Sequence, residues 1–151
     1  MPAVRSAPRL GVLALALVAL LFTMPGSTGP AQAMTKADKK MRRLINAERV
    51  ERGNGRLKMA DRLVWVAKGH SRQMAEDGTI YHNKSLPGGL PFKNVWWGEN
   101  VGMGNSVTSL HNLFMQSDAH RANVLNQNFR RIGVGVVKDD GRTYVTVVFT
   151  S

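Results

Sequence analysis

Ile132-Gly133-Val134-Gly135-Val136-Val137-Lys138-Asp139-Asp140-Gly141-Arg142-Thr143-Tyr144-Val145-Thr146-Val147-Val148-Phe149-Thr150 decides the fold class. Two runs rich in β-branched residues, 132–138 and 144–150, flank Asp139-Asp140-Gly141. Strand-forming runs joined by an Asp-Gly turn predict a β-hairpin. The sequence before it is mostly helical in pattern. Helices first and a sheet later predict an α+β domain.

Working back toward the N-terminus, Asp118 is placed to cap a short helix carrying Ala119 to Leu125, with His120 in its first turn. Asn105-Ser106 caps another helix, with Val107, Leu110, Leu113 and Phe114 as its apolar side and His111 expected to point outward. Val95-Trp96-Trp97 reads as a short strand that delivers Gly98-Glu99-Asn100, and from its position at least one of the two indoles is expected in the core. From Thr79 to Pro91 the prolines and glycines predict a loop, with His82 near its start. A helix from about Asp61 to Asp77-Gly78 lines up Leu63, Val66, Ala67, His70 and Met74, so His70 reads as a packed histidine with one satisfied nitrogen. Thr35-Lys36-Ala37-Asp38 has the form of a capping box opening a first helix, with Met41, Leu44 and Ile45 on its apolar stripe and Gly53-Asn54-Gly55 as its stop.

The first 33 residues read differently. Arg5 and Arg9 precede the uncharged run Leu10 to Met24, and Ala31-Gln32-Ala33 follows a Pro/Gly/Ser stretch. This is the plan of a signal peptide cleaved after Ala33. The apolar run is shorter than the ~20 residues a membrane span needs, so residues 34–151 are expected to be a secreted domain with no transmembrane anchor. Without Arg5 and Arg9, 19 of the 21 Lys+Arg remain against 10 acids, a formal charge of +9. Such a charge favours anionic polymers such as teichoic acids, lipid head groups or nucleic acid. The basic residues are dispersed, however, and the densest group, Lys36 to Arg43, has no interleaved aromatics, so no specific nucleic-acid partner is expected. The chain has no cysteine. Packing alone must stabilise the fold, and thiol chemistry is excluded.

Three pieces carry groups suited to proton or ligand chemistry: Tyr81-His82-Asn83, Gly98-Glu99-Asn100-Val101 and Ser117-Asp118-Ala119-His120-Arg121-Ala122-Asn123. Histidine titrates near neutral pH and offers a ring nitrogen to a metal. A helix N-terminus favours the neutral imidazole at His120, which is the metal-binding form.

In order and spacing these pieces resemble the CAP superfamily, the cysteine-rich secretory proteins, antigen-5 allergens and plant pathogenesis-related proteins with their bacterial SCP-like relatives. Asn46-Ala47-Glu48-Arg49 is similar to the family's first-helix motif, and Gly98-Glu99-Asn100-Val101 to its Gly-Glu-Asn-Ile/Val signature. Ser117 to Leu125, followed by Ile132-Gly133-Val134-Gly135, resembles the bacterial Ser-x-x-His-Arg-x-Asn-Ile-Leu and Ile-Gly-Val-Gly pattern. The resemblance covers nearly all of residues 34–151. It implies an α-β-α sandwich with a small antiparallel sheet between helical layers and a cleft lined by two histidines and two acids. His82 and His120 match the histidines, and Glu99 matches one acid. At the second acidic position stands Ser117, with Phe114 in the place of a helix Trp and Asp118 adjacent.

In a metal reading of these residues, His82 and His120 ligate Zn²⁺ or another divalent cation through neutral nitrogens, with Glu99 as a third ligand or as a base for bound water. The competing structural reading has both histidines hydrogen-bonded to a buried Glu99. Binding of a lipid or cell-envelope ligand, with Tyr81, Trp96 and Trp97 as candidate lining, is the leading functional expectation. A metal-assisted hydrolase of peptide or envelope polymer, with Glu99 catalytic, is the alternative; an extracellular nuclease ranks last. Ser117 lacks the context of an activated nucleophile. The oligomeric state stays open.

Overall fold

The computed structural model describes residues 34–86, 88–90 and 93–151. The expected leader and its cleavage after Ala33 lie outside the described residues. In chain order the elements are α1 (Lys36–Glu51), β1 (Lys58–Met59), α2 (Asp61–Glu76), β2 (Trp97–Gly104), α3 (Val107–Gln116), α4 (Asp118–Leu125), β3 (Arg131–Asp139) and β4 (Arg142–Thr150). None of the described helices is long and apolar enough to cross a membrane.

The hairpin forms as its sequence predicts. Asp139 pairs with Arg142 across the two-residue turn Asp140-Gly141. Both turn residues have positive φ, 42° and 70°, the backbone hand that matches the twist of two paired strands. The hairpin is the centre of a four-stranded sheet of order β1-β3-β4-β2. β2 runs antiparallel to β4, whereas the two-residue β1 runs parallel to β3, so the sheet is mixed rather than wholly antiparallel.

Alternation along the hairpin assigns each residue to a layer. Ile132, Val134, Val136, Val145, Val147 and Phe149 pack with Met41 and Ile45 of α1, Leu110 and Phe114 of α3 and Val124 of α4. The opposite face meets α2: Val148 packs with Leu63 and Ala67, and Tyr144 with Met74. On this face the sequence places glycine at 133 and 135. A Cβ at Gly133 would stand 2.1 Å from the Leu63 carbonyl carbon, and one at Gly135 would stand 2.4 Å from that of Ala67. The Ile-Gly-Val-Gly pattern therefore builds one apolar face and one flat face against which a helix backbone lies directly. This is the α-β-α sandwich.

Thr35 caps α1 in the expected box, its hydroxyl accepting from the Asp38 amide while Asp38 accepts from the Thr35 amide. Asp38 does more than cap. It is fully buried, and its Oδ1 accepts the Val136 amide at 2.8 Å, on the edge of β3 beyond the reach of β1. Arg49, also buried, donates to the carbonyls of Gly55, Val124 and Asn126, and Asn46 bonds both backbone groups of Leu57. The Asn-Ala-Glu-Arg motif thus ties α1 to the loop after it and to the end of α4.

Several local expectations need correction. His111 does not point outward: it is 3% exposed, with Nε2 3.5 Å from Glu48 Oε1, because α3 turns that side toward α1. Leu113, expected in the core, is exposed for the same reason. Neither Trp96 nor Trp97 is core; both are exposed, Trp96 to 71%. The strand starts at Trp97 and runs to Gly104 rather than covering 95–97, since pairing with β4 imposes extended backbone on a glycine-rich segment of low intrinsic strand preference.

Candidate functional site

The site lies where β2, the edge strand, meets the loop after α2 and the start of α4. His70 in α2 is buried as expected, and its Nε2 donates to the Tyr81 carbonyl at 2.7 Å. The Tyr81 hydroxyl donates to Asp77, so the residue is held at both ends. The next residue, His82, is thereby delivered to β2.

Glu99 organises this junction. Its side chain is 2% exposed, whereas that of His82 is 67% exposed. Glu99 Oε2 accepts from His82 Nδ1 at 2.7 Å and from the Asn83 amide at 3.0 Å. A carboxylate can only accept, so Nδ1 carries a proton and Nε2 is the ring nitrogen left for another partner. Glu99 Oε1 is buried without a hydrogen-bond partner among the described residues.

Asn100, next along β2, faces the other side of the sheet and is fully buried. Its Nδ2 donates to the His120 carbonyl at 3.0 Å, and its Oδ1 accepts from Asn123 Nδ2 at 2.9 Å. Asn123 Nδ2 also reaches the Glu99 carbonyl at 3.2 Å. Glycine at 98 gives the Asn123 side chain its place, because a Cβ there would sit 2.7 Å from Asn123 Oδ1 and displace it. Arg121 donates to the Met115 carbonyl at 3.0 Å, closing the end of α3. The two signatures at 98–101 and 117–125 therefore bond to each other through their asparagines.

His120 packs on Phe114, ring centroids 5.1 Å apart. Burial, and after it the nearby His82, hold its pKa below the ordinary 6.5. Its ring makes no hydrogen bond to Glu99, so only His82 follows the carboxylate-bonded reading. At the second acidic position the candidates separate. The Asp118 side chain is 93% exposed and pairs with Arg121. Ser117 occupies the N-cap of α4 without a side-chain capping bond. Among the described residues no group of three or more His, Cys, Asp or Glu is arranged to hold a metal.

The three pieces converge, yet with unequal roles: two imidazoles approach one edge of the sheet, and one buried carboxylate orients only the first. Sequence reading did not foresee Asn83, whose amide fixes Glu99, or Asn123, the bridge between β2 and α4. Both stand inside the quoted motifs, but an asparagine's partner is invisible without the fold. Beside His82 a groove of about 330 Å³ is lined by His70, Gln73, Tyr81, Asn83, Lys84 and Ser85. It continues along α2 past Trp65 and Val66. Trp96 and Trp97 do not line it.

Comparison with known proteins follows the same outline. The family model for CAP, the cysteine-rich secretory protein family, matches residues 42–150. The uncharacterized protein YkwD of Bacillus subtilis is 30% identical over 122 residues, covering 74% of this chain and 47% of that protein. The chain thus spans about half the length of this curated relative. An outer surface protein from Borrelia burgdorferi superposes with a TM-score of 0.68 at 23% identity, covering 79% of this chain and 96% of that one. An extracellular protein containing a SCP domain from Bacillus anthracis gives 0.65 at 24% identity, over 75% of this chain and 39% of that one. These two structures share the fold.

Proposed function

The chain belongs to the cysteine-rich secretory protein family, CAP, and on that premise we propose that it is an extracellular binding module whose His82–Glu99–His120 cleft takes a divalent cation together with a lipid or cell-envelope ligand. The observation that carries this reading is the Glu99 carboxylate, buried and spent on orienting His82 Nδ1. A carboxylate on the far nitrogen of a metal-binding histidine fixes the tautomer and raises the basicity of the other nitrogen.

The donor set fits a weak cation site. His82 Nε2 and the ring of His120 would hold the ion, with Glu99 supporting from behind. Zn²⁺ there would act as a Lewis acid toward an oxygen of the ligand. Two protein ligands leave the remaining positions to water or ligand, so cation and ligand are expected to bind together. The groove along α2, with Trp65 and Tyr81, offers apolar surface for the rest of the ligand. An extracellular location is supported by the expected leader, and by the outer surface protein of Borrelia and the extracellular protein of Bacillus anthracis that share the fold.

Calorimetric titration of Zn²⁺ into the purified protein and into H82A and H120A is the test. Both variants are expected to lose at least tenfold in affinity, and binding unchanged in both would end the shared-site reading. One observation favours a second reading, metal-assisted hydrolysis: Glu99 Oε1 has no partner among the described residues and could act on a bound water. That reading requires turnover, abolished in E99Q with folding intact.

A further inference from the structure

A second cleft, sharing no residue with the histidine site, opens between the loop after α1 and the segment between α4 and β3. It encloses about 300 Å³ and is lined by Gly53, Asn54, Gly55, Arg56, Gln127, Phe129 and Arg130. Its charge is one-sided. Arg56 and Arg130 are both exposed, no acidic residue lines the cleft, and neither guanidinium has an ion-pair partner among the described residues. Among the described residues Arg130 Nη1 donates to the carbonyls of Gln127 and Phe129, and no bond is made by its other N–H groups.

Beneath the cleft lies a third cation. Arg49 is buried, and among the described residues its hydrogen bonds go to neutral carbonyls, one of them that of the lining residue Gly55. A buried cation without a counter-charge is costly, and here burial and the charge of Arg130 both disfavour protonation of Arg49. Two guanidinium forks above an uncompensated buried guanidinium form a strongly positive pocket. Guanidinium recognises tetrahedral oxyanions through paired N–H donors, and two forks from opposite walls match a phosphate better than a planar carboxylate.

We propose that this cleft is a phosphate-binding site in which Arg56 and Arg130 grip the oxyanion and Arg49 supplies charge from below. The phosphate is either free or carried by a lipid headgroup, and the chemistry of recognition is the same. Both arginines are surface residues, so replacing them leaves the packed interior untouched.

The experiment titrates inorganic phosphate into the protein at constant ionic strength and follows amide resonances. Saturable shifts centred on Gly55, Arg56 and Arg130 are expected, weakened at least tenfold in R56A/R130A, restored in part by R56K/R130K, and unaltered in H82A. Co-sedimentation with phosphatidylglycerol vesicles, lost in R56A/R130A, would place the phosphate on a lipid; phosphate binding without vesicle binding would place it on a free or polymeric source. Shifts equal to those given by chloride or acetate, or undiminished in R56A/R130A, would overturn the proposal. The H82A control separates this outcome from failure of the cation site.

Discussion

Lys68 Nζ lies 3.0 Å from Asp38 Oδ2, and both side chains are buried. Lys68 belongs to α2 and Asp38 to α1, so the pair joins the two helical layers around the edge of the sheet that β1 leaves uncovered. The same carboxylate accepts the amides of Thr35 and Val136. Removing Asp38 would take an ion-pair partner from the buried Lys68 ammonium and the acceptor from the buried Val136 amide. Truncating one member of a buried pair costs about 3–5 kcal/mol, and D38A is expected to fall in that range by urea denaturation. K68M, which leaves the carboxylate two amide donors, is expected to cost less. Equal losses would show that the hydrogen bonds of Asp38 contribute little.

The flat face of β3 makes an opposite pair of predictions for glycine. G133A and G135A place a methyl inside the backbone of α2. Overpacking of this kind costs roughly 1–3 kcal/mol, occasionally more, and thermal unfolding should report it. Gly69 lies within α2, and a Cβ added there would meet nothing within 4 Å; G69A should gain about 0.5–1 kcal/mol from helix preference.

Acid should weaken the fold through two histidines. His111 and His120 both titrate below the ordinary 6.5, chiefly because burial penalises their charged forms. The unfolded chain binds protons more readily than the native state below that pH, so their contribution is complete above pH 6.5 and declines as pH falls through the lower native pKa values. Melting temperature should therefore drop from pH 7 to pH 5. NMR titration should place the His120 midpoint below 6.5, and H82A should move it up by relieving the repulsion, though not fully, because burial remains.

The place of the second acid can be tested directly. Ser117 stands where the resemblance puts a carboxylate, and Asp118 is turned to solvent. S117E is expected to tighten Zn²⁺ binding about tenfold, as an added anionic ligand should. D118A should leave it unchanged. A tenfold loss in D118A would mean that Asp118 swings into the cleft.

What the sequence revealed of the fold was local. The Asp-Gly turn, the Thr35–Asp38 box and the stripe of α2 each lie within a few residues, where period and capping chemistry are legible. What it concealed depended on partners far along the chain. His111 is buried because α3 turns it toward Glu48 of α1, and Trp96, one residue before the edge strand β2, is left 71% exposed. For the site, the motifs located His82, Glu99 and His120. They could not show that Glu99 serves one histidine and not the other, since adjacent strand residues face opposite sides and only the register decides which partner each meets.

The central strands of the sheet, β3 and β4, are also the last elements in chain order. α1 packs on Val134 and Val136, its capping carboxylate waits for the Val136 amide 98 residues away, and α2 rests on Gly133 and Gly135. A nascent chain that stops before residue 131 lacks the sheet surface that separates α2 from the layer of α1, α3 and α4. The sheet of this domain is thus completed only once residues 131–150 have emerged, and because the chain has no cysteine that last step needs no oxidant.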